Sequence, residues 1–96
     1  MSRTEMLMVF CYDISKASVR RRVASRLEDH ATRVQGSVFE ARMRPNRARI
    51  LADSLGDLLQ DGDSLRVYAI SADGQRHSLV HGTGVPLAED QDFWLL

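Results

Sequence analysis

The sequence predicts an α+β fold with its elements in the order strand, helix, two strands, helix, strand, and three observations carry that prediction. Met6 to Tyr12 is an unbroken apolar run of strand length. Two later segments repeat apolar residues at three- and four-residue steps, the period of an amphipathic helix. Around them lie stretches rich in β-branched and aromatic residues, punctuated by glycine-bearing turns. With 96 residues, 44% of them hydrophobic and 27% charged, the chain has the balance of one small soluble domain, neither disordered nor fibrous. A domain of that size buries only a modest share of its surface, so pairing with a second copy is expected.

The first strand is uniformly apolar rather than alternating, which suits a central strand covered on both faces. Asp13 stands at its C-terminal end. Val19, Val23 and Leu27, widened by Ala24 and Ala31, form the stripe of the first helix, with Ser15 or Ser18 as its cap and Arg20, Arg21, Arg22 and Arg26 on its polar side. Over 32–43 the parity that places Phe39, Ala41 and Met43 on one face places Val34 on the other. A turn or bulge at Gln35-Gly36-Ser37 resolves that conflict and divides the stretch into two short strands. Pro45-Asn46 breaks the strand and offers a cap, after which Ala48, Leu51, Leu55 and Leu58 mark the second helix. Asp61-Gly62-Asp63 is a turn, and Leu65, Val67 and Ala69 alternate with Arg66, Tyr68 and Ile70 as a strand. This is the split βαβ arrangement called ferredoxin-like, a βαββαβ sandwich over residues 1–70. Residues 71–96 are read as a C-terminal strand and tail of the same domain: a turn at 71–74, a further strand over 75–81, and an apolar end, Phe93-Trp94-Leu95-Leu96, that docks on its own domain or on a second protomer.

No apolar run approaches the ~20 residues of a membrane span, and the opening residues do not read as a secretory leader, so a cytoplasmic location is expected. A single cysteine, Cys11, forms no intramolecular disulfide and reads as a buried, inert thiol. The net charge is zero but unevenly spread: residues 1–50 hold eleven Arg/Lys against five Asp/Glu and residues 51–96 two against eight, giving +6 and −6. Twelve of the thirteen basic residues are arginine, whose planar fork matches phosphate oxygens. The basic half is either a footprint for nucleic acid or a solvated helix face paired with the acidic half.

Glycine-rich phosphate loops, paired cysteines, His-Glu-x-x-His and Gly-x-Ser-x-Gly are all absent, and His30, His77 and His81 lack ligand spacing. Asp13 is the most informative residue, because strand ends beside helix starts are where sheets of this kind place function. One carboxylate is a poor site for Mg²⁺, which prefers octahedral oxygen coordination. A two-fold dimer would bring two Asp13 side chains together, with water and phosphate completing the shell of a shared Mg²⁺ or Mn²⁺.

Tyr12-Asp13-Ile14, the Arg-rich helix, Thr32-Arg33-Val34-Gln35-Gly36-Ser37-Val38-Phe39-Glu40 and Asp63-Ser64-Leu65-Arg66-Val67-Tyr68 together resemble the CRISPR-associated "Cas-two" family, collinearly over 6–70. The resemblance implies a homodimer with two sheets packed face to face, each C-terminal segment adding to its partner's sheet. It implies Asp13 as metal-binding and catalytic aspartate, and Arg20, Arg22, Arg33, Ser37 and Phe39 as substrate-binding positions, although Phe39 reads equally well as core. Gly36 departs from the pattern, since many relatives carry an aromatic residue there. Two functions follow from the resemblance: a metal-dependent endonuclease acting on single-stranded RNA or double-stranded DNA, and an adaptor that binds DNA backbone and bridges a CRISPR integrase during spacer acquisition. A toxin-type RNase or a small regulatory domain on the same fold is the alternative.

Overall fold

The computed structural model describes residues 4–84. Its elements are β1 (Met6–Asp13), α1 (Ala17–Glu28), β2 (Thr32–Gln35), β3 (Val38–Met43), α2 (Pro45–Gly56), β4 (Ser64–Ile70) and a short α3 (Ala72–Arg76). The four strands form one antiparallel sheet in the order β2-β3-β1-β4, so the apolar β1 lies inside it, as its composition predicts. The expected split βαβ order is the observed one.

Pleating sends alternate side chains of each strand to opposite faces. One face carries Met8, Phe10 and Tyr12 of β1 with Phe39 and Met43 of β3, and these pack against Val19, Val23, Ala24 and Leu27 of α1 and Ala48 and Leu55 of α2. Phe10, Phe39, Val23, Leu27 and Leu55 are wholly buried there. At roughly 1.5–3 kcal/mol for each large side chain, this layer is the main source of stability. The β2–β3 conflict is resolved as expected, with a register irregularity between Arg33 and Gln35 and a turn at Gly36-Ser37. Helix caps differ from expectation. Lys16 and Arg44 occupy the N-cap positions without side-chain caps, Pro45 fills the first turn of α2, and Ser15, Ser18 and Asn46 cap nothing.

The opposite face of the sheet is less covered. Val9, Cys11 and Val38 are half-buried, and Tyr68 is 48% exposed. Cys11 is therefore half-buried rather than the buried thiol that its apolar run suggests, because among the described residues the long helices α1 and α2 cover only the other face of β1. α3 closes the end of this face near Leu7. A Cβ on Gly74 would meet Ile70 Cγ2 at 3.0 Å, so glycine lets α3 approach the sheet, and Arg42 donates to Gln75 Oε1 at 3.0 Å.

The expected strand over 75–81 is corrected: Ala72–Arg76 is helical, and no strand is formed over 77–84. Ser71 Oγ accepts from Gly74 N at 3.0 Å and Asp73 pairs with Arg76 at 2.7 Å, local contacts that favour a helical turn over extension. His77 is the C-cap residue of α3, 3.8 Å from Asp73. Leu79 and Val80, which fall within that expected strand, instead line a cleft of about 430 Å³ against Val34, Val38 and Glu40 on the open face. The apolar terminal segment lies outside the described residues. No helix of the described residues is long and apolar enough to cross a membrane.

Burial on this face pushes the Glu40 carboxyl above its ordinary pKa. The charged form is the one disfavoured, so the native state holds this proton more tightly than the unfolded chain. Stability from Glu40 is then full below the ordinary carboxylate range and is lost as pH rises through the raised value. Glu40→Gln is expected to raise the urea midpoint slightly at pH 7 and to leave it unchanged near pH 3; a midpoint that falls at pH 7 would contradict this.

Candidate nucleic-acid and metal site

Antiparallel order brings the C-terminal end of β1, the start of α1, the β2–β3 turn and the α2–β4 loop to one end of the sheet. Asp13 is the last residue of β1, paired in the ladder with Ser64. It is exposed, and its carboxylate has no hydrogen bond or ion pair among the described residues. Its two hard oxygens are thus available to a cation, although no group of three or more His, Cys, Asp or Glu suited to a metal ion occurs among the described residues. The donor set of one chain fits only an ion that takes most of its ligands from water, phosphate or a second protomer, which is how Mg²⁺ commonly binds.

The turn after Asp13 is held from two sides. Arg20 Nη1 donates to the Ile14 and Ser15 carbonyls at 2.9 and 2.8 Å. Asp63 Oδ1 accepts from Ser15 N at 3.2 Å, and its Oδ2 accepts from Gln60 N at 2.9 Å. Arg20, expected to grip substrate, therefore spends part of its donor set on nearby backbone, while the residue as a whole is exposed. Sequence reasoning missed the role of Asp63: it flagged the Asp-Gly-Asp turn, but no local signal points from there to Ser15.

The strand β2–turn–β3 unit is joined to this end by Tyr12. Its amide donates to Ser37 O at 3.1 Å and its hydroxyl to Gly36 O at 3.2 Å. Its ring stacks on Phe39 with centroids 6.3 Å apart, and Arg33 lies 5.1 Å over the same Phe39 ring. Phe39 is wholly buried, so its ring acts as the seat of Arg33 and is closed to direct stacking on a base. Ser37 is half-buried in the turn, and Arg22 is exposed on α1. The arrangement thus brings Asp13, Arg20 and Ser37 to one end of the sheet, with Arg33 seated beside the turn.

Among the described residues, six exposed arginines of the basic half are not paired with the acidic half. Arg21, Arg22, Arg26, Arg44, Arg47 and Arg49 are exposed, and none pairs with a carboxylate among the described residues. Of the two readings of the charge asymmetry, free guanidinium groups favour the phosphate-binding one.

A family model described as CRISPR associated protein Cas2 matches residues 6–77. The CRISPR-associated endoribonuclease Cas2 1 of Chloroflexus aurantiacus is 33% identical over 93 residues, covering 95% of this chain and 100% of that protein. The crystal structure of Streptococcus pyogenes Cas2 superposes with a TM-score of 0.68 at 28% identity, covering 80% of this chain and 100% of that one. A chain of a partial Cas6-RT-Cas1–Cas2 complex superposes with a TM-score of 0.66 at 27% identity, covering 78% and 89%.

Proposed function

The chain belongs to the CRISPR-associated Cas2 family, and from that premise we propose that it acts in CRISPR adaptation as a dimer that binds nucleic-acid backbone and docks on the Cas1 integrase, with metal-dependent endonuclease activity centred on Asp13. Family membership sets aside the toxin-type RNase and unrelated regulatory readings. The observation that carries the proposal is Asp13, exposed and without a side-chain partner among the described residues, at the same end of the sheet as arginines that lack carboxylate partners among those residues. A relative found in a complex with Cas1 supports the integrase as partner.

Dimerisation follows from the two faces of β1. Its apolar residues point both ways, yet one face of the sheet leaves Val9, Cys11, Val38 and Tyr68 incompletely covered. A second sheet laid on that face would remove this apolar surface from water. A two-fold axis there would give each Asp13 a counterpart, and the two carboxylates would together hold the cation that one chain's donor set cannot. A divalent cation bound there supplies positive charge to a phosphate group and lowers the pKa of coordinated water. The protein's share is to present Asp13 oxygens toward the cation and to hold flanking phosphates with Arg22, Arg33 and the spare donors of Arg20. So few protein ligands predict slow turnover.

Backbone binding makes a quantitative prediction. Affinity for duplex DNA measured by fluorescence anisotropy should be similar for unrelated sequences and fall steeply with salt, log K dropping by about 0.9 per tenfold rise in salt for each phosphate neutralised. Arg22→Ala with Arg33→Ala should flatten that slope by about two contacts per protomer. A salt-independent affinity, or a monomeric mass by light scattering, would remove the proposal.

A further inference from the structure

We infer that Asp63 is a positioning residue for Asp13, its carboxylate latching the turn that follows β1 so that the Asp13 carboxylate is held toward an approaching divalent cation; this rests on the metal-site reading of Asp13 above. Asp13 has no side-chain hydrogen bond among the described residues, so its direction is governed by its own backbone and that of the next residues. The ladder ends with the Asp13–Ser64 pair, and Asp63 is the residue just before it on the facing strand. At the point where strand pairing stops, the Asp63 side chain takes over by accepting from Ser15 N at 3.2 Å.

That oxygen is pre-set for the task. Asp63 N donates to Gln60 O at 2.9 Å and Gln60 N to Asp63 Oδ2 at 2.9 Å, closing a tight turn around Gly62, whose φ of 87° is a left-handed value that glycine adopts freely. One carboxylate oxygen is thus used within the turn, leaving the other aimed at an amide forty-eight positions away in sequence. Arg20 grips the Ile14 and Ser15 carbonyls from the opposite side. Two side chains of opposite charge, from two elements, therefore fix the donor and acceptor groups of the residues after Asp13. Asp63 is assigned the latch role because each of its oxygens accepts from a backbone amide, one of them the amide of Ser15.

The test uses the full chain labelled with ¹⁵N, Mn²⁺ as probe, and two NMR readouts that do not depend on cleavage. Bound Mn²⁺ broadens nearby amides, and hydrogen exchange reports the Ser15 amide directly. In Asp63→Ala, Ser15 exchange should accelerate about threefold to tenfold, the equivalent of one amide hydrogen bond, and half-broadening of residues 12–15 should need a similarly larger Mn²⁺ concentration. Exchange at Val9 in the middle of β1 should not change, which separates positioning from loss of fold. Asp63→Asn, which keeps one acceptor oxygen, should lie between wild type and alanine. Identical Mn²⁺ titrations for wild type and Asp63→Ala, with broadening lost in Asp13→Ala, would overturn the positioning role alone. Broadening that is absent from wild type, or that survives in Asp13→Ala, would overturn the metal reading and this inference with it.

Discussion

Asp13→Ala is expected to abolish Mg²⁺-dependent cleavage of RNA and duplex DNA, a loss of at least about a hundredfold, while binding of the same duplex stays within about twofold of wild type. The split follows from geometry. Asp13 is exposed, caps no helix and has no side-chain hydrogen bond or ion pair among the described residues, so its removal orphans no described partner. Stability should therefore change by less than about 0.5 kcal/mol. What is lost is the carboxylate proposed above to hold a cation, whereas the duplex binding proposed above rests on guanidinium groups that the substitution does not touch. Equal cleavage by both proteins, or none by either, would leave the adaptor role standing alone. A parallel fall in binding would mean that Asp13 acts on substrate positioning.

Phe39→Ala should destabilise the domain by about 3–5 kcal/mol in urea titration, the usual cost of emptying a fully buried aromatic site. Against a total of about 5–15 kcal/mol for a domain, that leaves little margin. The ring touches two functions of the fold at once: it fills the centre of the sheet–helix interface and supports both Tyr12 and Arg33. Phe39→Leu separates these roles. It refills most of the volume at a cost below about 1.5 kcal/mol and removes the aromatic face on which Tyr12 and Arg33 pack. Duplex affinity of the leucine variant should fall by no more than about fivefold, the scale of an exposed cation–π contact. If the ring instead stacked on a base, the loss would reach about tenfold or more.

Each part of the fold that sequence reasoning recovered rests on a short-range pattern. The continuous apolar run of β1, the stripe of Val19, Val23 and Leu27, and the parity clash around Gly36 each report how one segment presents its side chains, and each reappears in the structure. The segment after β4 shows where such patterns mislead. Leu79 and Val80 looked like part of a strand, yet they meet the open face of the sheet as irregular chain, because Ser71, Asp73 and Arg76 first turn the backbone into α3. Apolar residues signal that a contact exists without saying whether it is an edge or a face.

The candidate site divides in the same way. Asp13 was legible because an acidic residue ending an apolar strand stands out along the chain, and the arginines because their number and asymmetry do. Their individual roles were not. Arg20 and Arg22 look alike in sequence, but only Arg20 reaches the Ile14 and Ser15 carbonyls; Phe39 and Arg33 look like two independent contacts, but one is the seat of the other. By itself the sequence determined the order of elements, the core stripes and the identity of the exposed carboxylate, since periodicity and side-chain chemistry are local properties. Only the tertiary structure decided that Asp63 meets Ser15 and that Arg21, Arg22, Arg26, Arg44, Arg47 and Arg49 have no carboxylate partner among the described residues. Hydrogen bonds and ion pairs act over about 3–4 Å, and which distant residues come that close is set by the strand order that folds three separate loops to one end of the sheet.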